Sequence, residues 1–224
     1  VYNALREHLP EVAALAANAP FHAGVDTGLA SIRPKISEGL PRQGVPPPLA
    51  SWEEFADELR WGATAGALPE AALWWWELRP HPLHGTLELR VPDAQTTVAE
   101  AGALAAVAHS LVALLAERHD AGGLPGQVPT WRIEENRWSA CRYGVEGALA
   151  DLRTGERRPT RERLHDLVTE LDPVATRLGA AAELGEARSL IERNGALRQR
   201  AVAAADGGAA VLGPWLADRF SDGL

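Results

Sequence analysis

The chain has 224 residues, of which 46% are hydrophobic and 23% charged, and its formal net charge at pH 7 is -8. This length and composition are typical of one or two globular domains, and the acidic excess argues against nucleic acid or an anionic membrane as the main partner. The single cysteine, Cys141, excludes an internal disulfide and favours a reducing compartment, the cytoplasm.

Two further expectations concern membranes and the extent of the chain. The most apolar stretch, Ala101 to Ala116, carries His109 and Ser110, so we expect no segment that approaches membrane-spanning length. Methionine is absent, even at position 1, which is compatible with a fragment or a processed piece of a longer protein.

The first quarter of the chain is predicted to alternate between helices and ordered loops. Apolar residues at helical spacing predict an amphipathic helix from Tyr2 to Ala16. The glycine-punctuated segment NAPFHAGVDTGLASIRPK is predicted to be an ordered loop, and GLPRQGVPPPLAS an extended connector. Ser51, with Glu54 three residues later, predicts a capping box and a helix that runs to about Ala65.

An antiparallel hairpin is predicted next. Leu73 to Arg79, LWWWELR, has the bulk and aromatic content of a strand, PHPLHG is a turn, and Thr86 to Val91 is the return strand. A lone two-stranded hairpin is only marginally stable in water. The sequence therefore predicts a larger sheet, completed by sequence outside this chain or by a partner.

The remainder is predicted to be mostly helical. Thr97 to Glu117 has the strongest helical pattern, and Trp131 to Tyr143 predicts a shorter helix ended by Gly144. Val145 to Leu152, together with RTGERRP, predicts a small hairpin, and about three helices are expected from Thr160 onward.

The return strand, in GTLELRVPDAQ, carries the most informative charges. Leu87 and Leu89 fall on one face, whereas Glu88 and Arg90 fall on the other, roughly 7 Å apart along the strand. One interpretation is a solvated face with a weak ion pair, worth about 0–1 kcal/mol. The other is a carboxylate that binds a hard cation beside a guanidinium that binds phosphate, with Arg79 as a second cation nearby.

Three other features are interpreted as structural. His81 and His84 lack cysteine or carboxylate neighbours in the sequence, so we expect turn residues rather than a metal pair. Cys141 lies in a predicted helix with no histidine near it, which is typical of a buried small residue. The tryptophans Trp74 to Trp76 are expected to pack in the core or at its edge.

Two polar segments leave a structural and a functional interpretation open. In WRIEENRWSACRYG, helical spacing brings together Arg132, Glu135, Asn136 and Ser139. They form either an exposed polar face or polar groups held in a packed setting between bulky tryptophans. The loop NAPFHAGVDTGLASIR is either an ordinary connector or a binding loop that offers Asn18, Asp26, Ser31 and Arg33.

The order of three motifs identifies a resemblance. LAANAPFHAGVDTGLASIR, then WWWELRPHPLHGTLELRVPDAQTT, then IEENRWSACRYG resembles the carboxylate-amine ligases of the glutamate–cysteine ligase type 2 family over nearly the whole chain. The middle motif is the most specific, and Ala19 departs from the serine usual in the first. The resemblance is to the C-terminal portion, because the acidic first strand and the histidine-bearing strand of the family's N-terminal portion have no counterpart here.

The resemblance implies a fold and a domain organisation. The expected class is α+β: a mostly helical chain that contributes strands to a curved, antiparallel, glutamine-synthetase-like catalytic sheet. Residues 1–224 would form the C-terminal portion of a single catalytic domain without its N-terminal strands, and residues 160–224 would form a helical tail.

The resemblance also implies an activity and a set of site residues. Family chemistry is the ATP-dependent joining of a carboxylate to an amine through an acyl phosphate, with Mg²⁺ or Mn²⁺. Glu88 matches the metal-binding glutamate, and Arg90 matches the catalytic arginine beside the transferred phosphate. Further candidates for the substrate or ATP site are Asn18, Arg33, Arg79, Asp93, Asn136, Arg137 and Arg142.

The implied partners are ATP, small amino-acid-like carboxylate and amine substrates, and the N-terminal portion of the same enzyme or a partner chain. A homo-oligomer is compatible with the sequence, whereas nucleic acid and membrane are not expected. The alternative is a non-catalytic helical interaction module, or relic, that pairs through its exposed sheet edge.

Overall fold

The computed structural model describes residues 1–205 and 207–223 and shows an α+β protein in which helices dominate. The helices are α1 (Tyr2–Glu7), α2 (Leu9–Leu15), α3 (Arg33–Ser37), α4 (Trp52–Thr64), α5 (Val98–Asp120), α6 (Thr130–Tyr143), α7 (Thr160–Leu178), α8 (Ala181–Arg193), α9 (Gly195–Ala205) and α10 (Leu212–Asp222). The strands form three hairpins: β1 (Phe21–His22) with β2 (Val25–Asp26), β3 (Leu78–His81) with β4 (Thr86–Leu89), and β5 (Ala148–Ala150) with β6 (Arg157–Pro159).

Helix α5 lies at the centre of the main hydrophobic core. It packs against α7 and α8, while α2 packs against α6. Leu111 of α5, Leu171 of α7 and Ile191 of α8 are all fully buried in this core. The helices that follow residue 160, predicted as a tail, therefore contribute directly to the core that supports the rest of the chain.

The length and hydropathy of α5 differ from the sequence expectation. Among the described residues, Val98–Asp120 is the one helix long and apolar enough to cross a membrane by these two criteria alone, so the expectation that no segment approaches that length is wrong. Its buried residues include Leu104, Val107, Leu111 and Leu115, which pack in the main core. Core packing thus accounts for the apolar side of this helix.

The predicted N-terminal helix is interrupted. The chain forms α1 and α2 on either side of His8, and Pro10 lies in the first turn of α2. Proline has no backbone N–H and is tolerated in a first turn but not in a helix interior, so a break just before it is expected.

One of the two hydrogen bonds of the predicted capping box is confirmed at the start of α4, because Ser51 Oγ accepts the N–H of Glu54 at 3.2 Å.

The predicted strand from Leu73 to Arg79 is wrong over most of its length. Strand β3 begins only at Leu78, and a single 3₁₀ turn occupies Ala71–Leu73. Trp74 instead packs edge-to-face on Phe55 of α4, with ring centroids 5.1 Å apart, in a small cluster separate from the main core. The aromatic bulk that suggested a strand instead makes this contact with α4. For Trp74, the contact agrees with the expectation that the tryptophans pack in the core or at its edge.

Elsewhere the predicted elements are confirmed with small differences. Helices α5 and α6 and the hairpin β5–β6 form where they were predicted, and Gly144 follows α6 with a positive φ of 56°. The predicted loop at residues 18–35 contains the short hairpin β1–β2 and, at its end, the start of α3. Four described helices follow Thr160, rather than about three.

Each sheet has two strands among the described residues, and no third strand of that part of the chain joins β3–β4. The register of this hairpin places Leu78 opposite Leu89 and Arg79 opposite Glu88. The α+β class is therefore confirmed, whereas the curved catalytic sheet implied by the resemblance is not seen in residues 1–205 and 207–223.

Candidate active site

One face of the β3–β4 hairpin carries four charges of alternating sign. Arg79 lies opposite Glu88, and the N–H of Arg90 donates to the carbonyl of Glu77 at 2.8 Å, which extends the pairing by one position. Side chains two residues apart on a strand share a face. Glu77, Arg79, Glu88 and Arg90 therefore form a two-by-two array in which each charge faces its opposite.

Glu88 is the centre of this array. Arg79 Nε donates to Glu88 Oε2 at 2.8 Å, and an Arg90 terminal nitrogen donates to Glu88 Oε1 at 2.8 Å. Burial raises the pKa of the Glu88 carboxyl, but the hydrogen bonds from both arginines outweigh burial, and the pKa lies below its usual range. Glu88 is thus held as a carboxylate with both oxygens oriented, and about a third of its side chain remains exposed.

Arg90 retains an unused donor. Its Nε is buried and makes no hydrogen bond to the described residues. The carboxylate opposite, Glu77, is bonded to Arg137 of α6, with Arg137 Nε 2.8 Å from Glu77 Oε1. Glu77 is thus paired with Arg137 rather than with Arg90, and about a third of the Arg90 side chain is exposed; this exposed part, not the buried Nε, is accessible to an anion.

Arg137 is enclosed by acidic groups. It is 2% exposed and, besides Glu77, donates to Glu38 at 2.7 Å and to Glu134 at 3.3 Å. Burial lowers the pKa of Arg137, but the neighbouring carboxylates, Glu77 foremost, outweigh burial and raise it. This predicted site residue therefore has its donors directed to the protein interior, next to the hairpin rather than towards solvent.

A second cluster is organised around Asp93, directly after the hairpin. Its buried carboxylate accepts hydrogen bonds from the backbone N–H of Asn18 (2.8 Å), the hydroxyl of Ser31 (3.0 Å) and Arg33 Nε (2.7 Å). Arg33 also donates to the carbonyl of Val91. Three predicted site residues, Asn18, Arg33 and Asp93, are thus brought together by the loop that the sequence left open between connector and binding loop.

A cleft lies beside this cluster. It has a volume of about 530 Å³, and its lining includes Asn18, Arg33 and Asp93. A second cleft of about 510 Å³ shares Asn18 and is closed on the far side by Leu216 and Phe220 of α10. The loop that carries Asn18 and Arg33 and the segment that carries Asp93 therefore lie beside two open clefts.

Asn136 and Arg142 are placed in structural contacts. The polar face of α6 is bonded to β5 and the residues beside it, with Arg132, Asn136 and Ser139 donating to the carbonyls of Leu152, Ala150 and Ala148 at 2.7–2.8 Å. Asn136 Oδ1 also accepts the N–H of Ala150 at 2.8 Å. Arg142 donates to the carbonyl of Gly28 and so holds the loop that carries Asn18 and Arg33.

The histidines, the cysteine and the tryptophan that were interpreted as structural all lie in packed or stacked positions. His81 and His84 stack with ring centroids 4.4 Å apart across the hairpin turn. Cys141 is buried, and burial raises the pKa of its thiol to about 11, which disfavours the reactive thiolate. Trp74 is 2% exposed in its cluster with Phe55.

The donor set for a divalent cation is incomplete within residues 1–205 and 207–223. These residues contain no group of three or more His, Cys, Asp or Glu side chains that could hold a metal ion. Glu88 has the oxygen chemistry that Mg²⁺ prefers, but it is a single carboxylate flanked by two guanidinium groups. The residues present fit one ligand of a metal site, not a complete one.

Sequence reasoning missed the acidic partners of this site. Glu77, Glu38 and Glu134 hold the predicted site residue Arg137 in place. For Glu77 a signal existed, because it lies two residues before Arg79 and so shares the face that carries Glu88. For Glu134 a signal also existed, because it lies three residues before Arg137 on the same helix. For Glu38 there was none, since only the packing of α3 near α6 brings it to Arg137.

Comparison with known proteins identifies relatives along nearly the whole chain. The model of glutamate–cysteine ligase family 2 matches residues 1–212. A relative from Rubrobacter xylanophilus is 41% identical over 96% of this chain and 58% of its own length. One from Frankia casuarinae is 39% identical (93% and 55%), and one from Thermobifida fusca is 39% identical (90% and 51%).

All three relatives are named, provisionally, as glutamate–cysteine ligases 2. The chain spans little more than half the length of these relatives. The motif order that suggested the family and the match over residues 1–212 agree, and the chain belongs to glutamate–cysteine ligase family 2.

Proposed function

We propose that this chain forms part of an ATP-dependent carboxylate-amine ligase and supplies part of its active site. The observation that carries the proposal is the position of Glu88, an ionised carboxylate about one-third exposed and held between Arg79 and Arg90 on one face of β3–β4. A simple surface ion pair consists of one cation and one carboxylate. Here two arginines bond Glu88, and a third, Arg137, bonds Glu77, the carboxylate opposite Arg90.

The proposed reaction has two steps. An oxygen of the substrate carboxylate attacks the γ-phosphorus of ATP, the bond to the β,γ-bridging oxygen breaks, and ADP leaves. The amine then attacks the acyl carbon of the acyl phosphate, inorganic phosphate leaves, and the nitrogen loses a proton to give the amide. Charge on the transferred phosphoryl oxygens is stabilised by cationic groups, and Arg90, whose side chain is about one-third exposed beside Glu88, is assigned this role.

Glu88 is assigned as one metal ligand, and Arg79 orients it. Mg²⁺ or Mn²⁺, when bound, would neutralise phosphate charge. The other ligands would come from phosphate oxygens, water and residues outside this chain, because residues 1–205 and 207–223 contain no group of three or more His, Cys, Asp or Glu side chains that could hold the ion. We therefore propose that activity requires the N-terminal portion, supplied by the same polypeptide or by another chain, in the cytoplasm.

The experiment combines residues 1–224 with the N-terminal portion of the Rubrobacter xylanophilus relative and measures Mg²⁺-dependent phosphate release from ATP with glutamate and cysteine. Glu88→Gln keeps the shape of the side chain but removes its charge, and we expect it to abolish this activity while the circular dichroism spectrum is unchanged. Glu58→Gln, on the exposed face of α4, is the matched control and should retain full activity. Activity of the Glu88→Gln assembly within a few-fold of the parent would contradict the proposal.

The second candidate is a non-catalytic interaction module or relic. It is favoured by one observation, namely that β3–β4 has no third strand among the described residues, so its edges can pair with another chain. Titration calorimetry of the 224-residue chain with Mg²⁺ and ATP separates the two functions. A saturable heat that Glu88→Gln removes supports the ligase, whereas no heat, in both the isolated chain and the assembly, supports the module.

A further inference from the structure

The cleft beside Asp93 has one cationic group and several apolar ones. Its lining includes Phe21, Ile32, Ile36 and Leu40 together with Arg33. Arg33 is the one arginine or lysine among the described residues that line it. The lining also includes polar residues, among them Asp93, which is ion-paired with Arg33. A single guanidinium that already faces one carboxylate matches a singly charged anion better than a phosphate ester, which carries up to two charges.

Arg33 is positioned by contacts on one side only. Its Nε donates to Asp93, and one terminal nitrogen donates to the carbonyl of Val91, whereas the other makes no hydrogen bond to residues 1–205 or 207–223. The Asp93 carboxylate is also bonded by Asn18 and Ser31, so its charge is shared among three donors. Arg33 therefore keeps a fixed orientation and a free donor, with 40% of its side chain exposed.

The apolar wall is unusually open. Ile36 is 52% exposed and Leu40 is 57% exposed, both on the same side of the cleft at α3 and just after it. A bound apolar side chain would remove these surfaces from water and so contribute favourable free energy. The cleft volume of about 530 Å³ lies within the range of small-molecule sites.

We propose that this cleft binds a small carboxylic acid with an apolar side chain, of the type of an aliphatic amino acid, with its carboxylate on Arg33 and its side chain against Ile36 and Leu40. The inference deepens the proposed function, since such a molecule would be a substrate of the ligase. The cleft is separate from the charged face of β3–β4, since neither Glu88 nor Arg90 is among the residues that line it.

The test uses unreactive probes and the 224-residue chain, so it does not depend on catalysis. N-acetyl-L-leucine has the carboxylate and the apolar side chain, N-acetyl-L-leucinamide lacks the free carboxylate, and N-acetylglycine lacks the side chain. Backbone amide shifts in two-dimensional NMR report the site. We expect N-acetyl-L-leucine to give saturable shifts at Phe21 and at residues 32–40, with the other two probes at least tenfold weaker.

Two variants test the named contacts. Arg33→Gln keeps an amide donor for Asp93 but loses the charge, and we expect about tenfold or greater loss of affinity for N-acetyl-L-leucine, in line with the strength of hydrogen bonds to charged groups. Ile36→Ser, at an exposed position, should weaken the same probe and leave N-acetylglycine unchanged. Arg60→Gln, on exposed α4, is the control and should bind like the parent.

Three results would overturn the proposal: no saturable shift with N-acetyl-L-leucine, equal binding of N-acetyl-L-leucinamide, or unchanged affinity in Arg33→Gln. Saturable shifts of the same amides by AMP, without binding of N-acetyl-L-leucine, would assign the cleft to a nucleotide and would also overturn it. Binding of the probe without Mg²⁺–ATP heat would support the cleft and count against the ligase. Heat from Mg²⁺–ATP binding without binding of N-acetyl-L-leucine would support the ligase and count against the proposed cleft site.

Discussion

At the scale of single residues, the site depends on which carboxylate each arginine occupies. Arg79 and Arg90 both bond Glu88, while Arg137 bonds Glu77. Without Arg137, the carboxylate of Glu77 would lie opposite Arg90 with no other partner and would compete for its guanidinium. The buried Arg137–Glu77 pair thus determines whether Arg90 remains available.

The prediction at this scale is that Arg137→Met destabilises the protein strongly. Removal of the guanidinium leaves Glu77, 6% exposed, as a buried carboxylate without its partner, and breaking such a pair costs about 3–5 kcal/mol in the free energy of unfolding. Urea denaturation measures this cost. Arg60→Met, at an exposed position, should change the free energy by less than about 0.5 kcal/mol.

A second variant isolates the cause. In Arg137→Met combined with Glu77→Gln the buried charge is gone, so we expect most of the lost stability to return. A loss below about 1 kcal/mol for Arg137→Met alone, or no recovery in the double variant, would show that the pair does not have this role.

At the scale of secondary-structure elements, α6 is joined to β5 by side chains rather than by apolar packing alone. Asn136 exchanges two hydrogen bonds with the backbone of Ala150, and Ser139 donates to the carbonyl of Ala148. One helix face thereby fixes the hairpin β5–β6, while the adjacent face presents Arg137 to Glu77. The position of α6 relative to both hairpins is therefore set by polar contacts.

The prediction at this scale concerns Asn136→Ala. The variant removes both hydrogen bonds to the half-buried backbone N–H and carbonyl of Ala150, at a cost of about 0.5–1.5 kcal/mol for each bond. Hydrogen exchange at the Ala150 amide should accelerate in parallel. Ser139→Ala removes a single bond and is the milder control; an equal effect of the two variants would contradict the dominant role of Asn136.

At the scale of the whole molecule, a charged contact joins the first helices to α7. The Glu11 carboxylate lies 2.6 Å from His8 Nδ1 and 2.9 Å from a terminal nitrogen of Arg163. Burial lowers the pKa of His8, but Glu11 outweighs burial and raises it, while the same contacts lower the pKa of Glu11. Arg163 thus joins α7 to the N-terminal helices through Glu11, and the second partner of Glu11, His8, makes the charge of this cluster depend on pH.

The prediction at this scale follows from the sign of the His8 shift. A raised folded-state pKa stabilises the protein fully below the unfolded pKa of about 6.5 and loses this contribution as the pH rises through the folded value. We expect the difference in the free energy of unfolding between the parent and His8→Gln to decrease by on the order of 1 kcal/mol above pH 6.5. Urea titrations between pH 5.5 and 9 measure this difference.

Glu11→Gln provides the control for this pH effect. With the carboxylate gone, burial is the main remaining influence on His8, so its pKa measured by NMR should fall. A stability difference between parent and His8→Gln that stays constant or grows with pH above 6.5 would contradict the prediction.

Local patterns were sufficient for some elements. The alternation of TLEL predicted strand β4, and Ser51 with Glu54 predicted the start of α4, because both signals act over a few residues. The strand predicted at residues 73–79 was wrong over residues 73–77, because Trp74 packs on Phe55, which is distant in sequence. Bulk and aromaticity alone do not distinguish a strand from a packed loop.

The sequence by itself therefore determined the charged face of Glu88 and Arg90, because a period of two residues fixes it locally, and the family, because motif order fixes it. Only the tertiary structure decided which groups complete that face. Arg137 reaches Glu77, and Arg33 reaches Asp93, through contacts between residues about 60 positions apart. Such contacts follow from the packing of helices on a common core, and no local spacing encodes them.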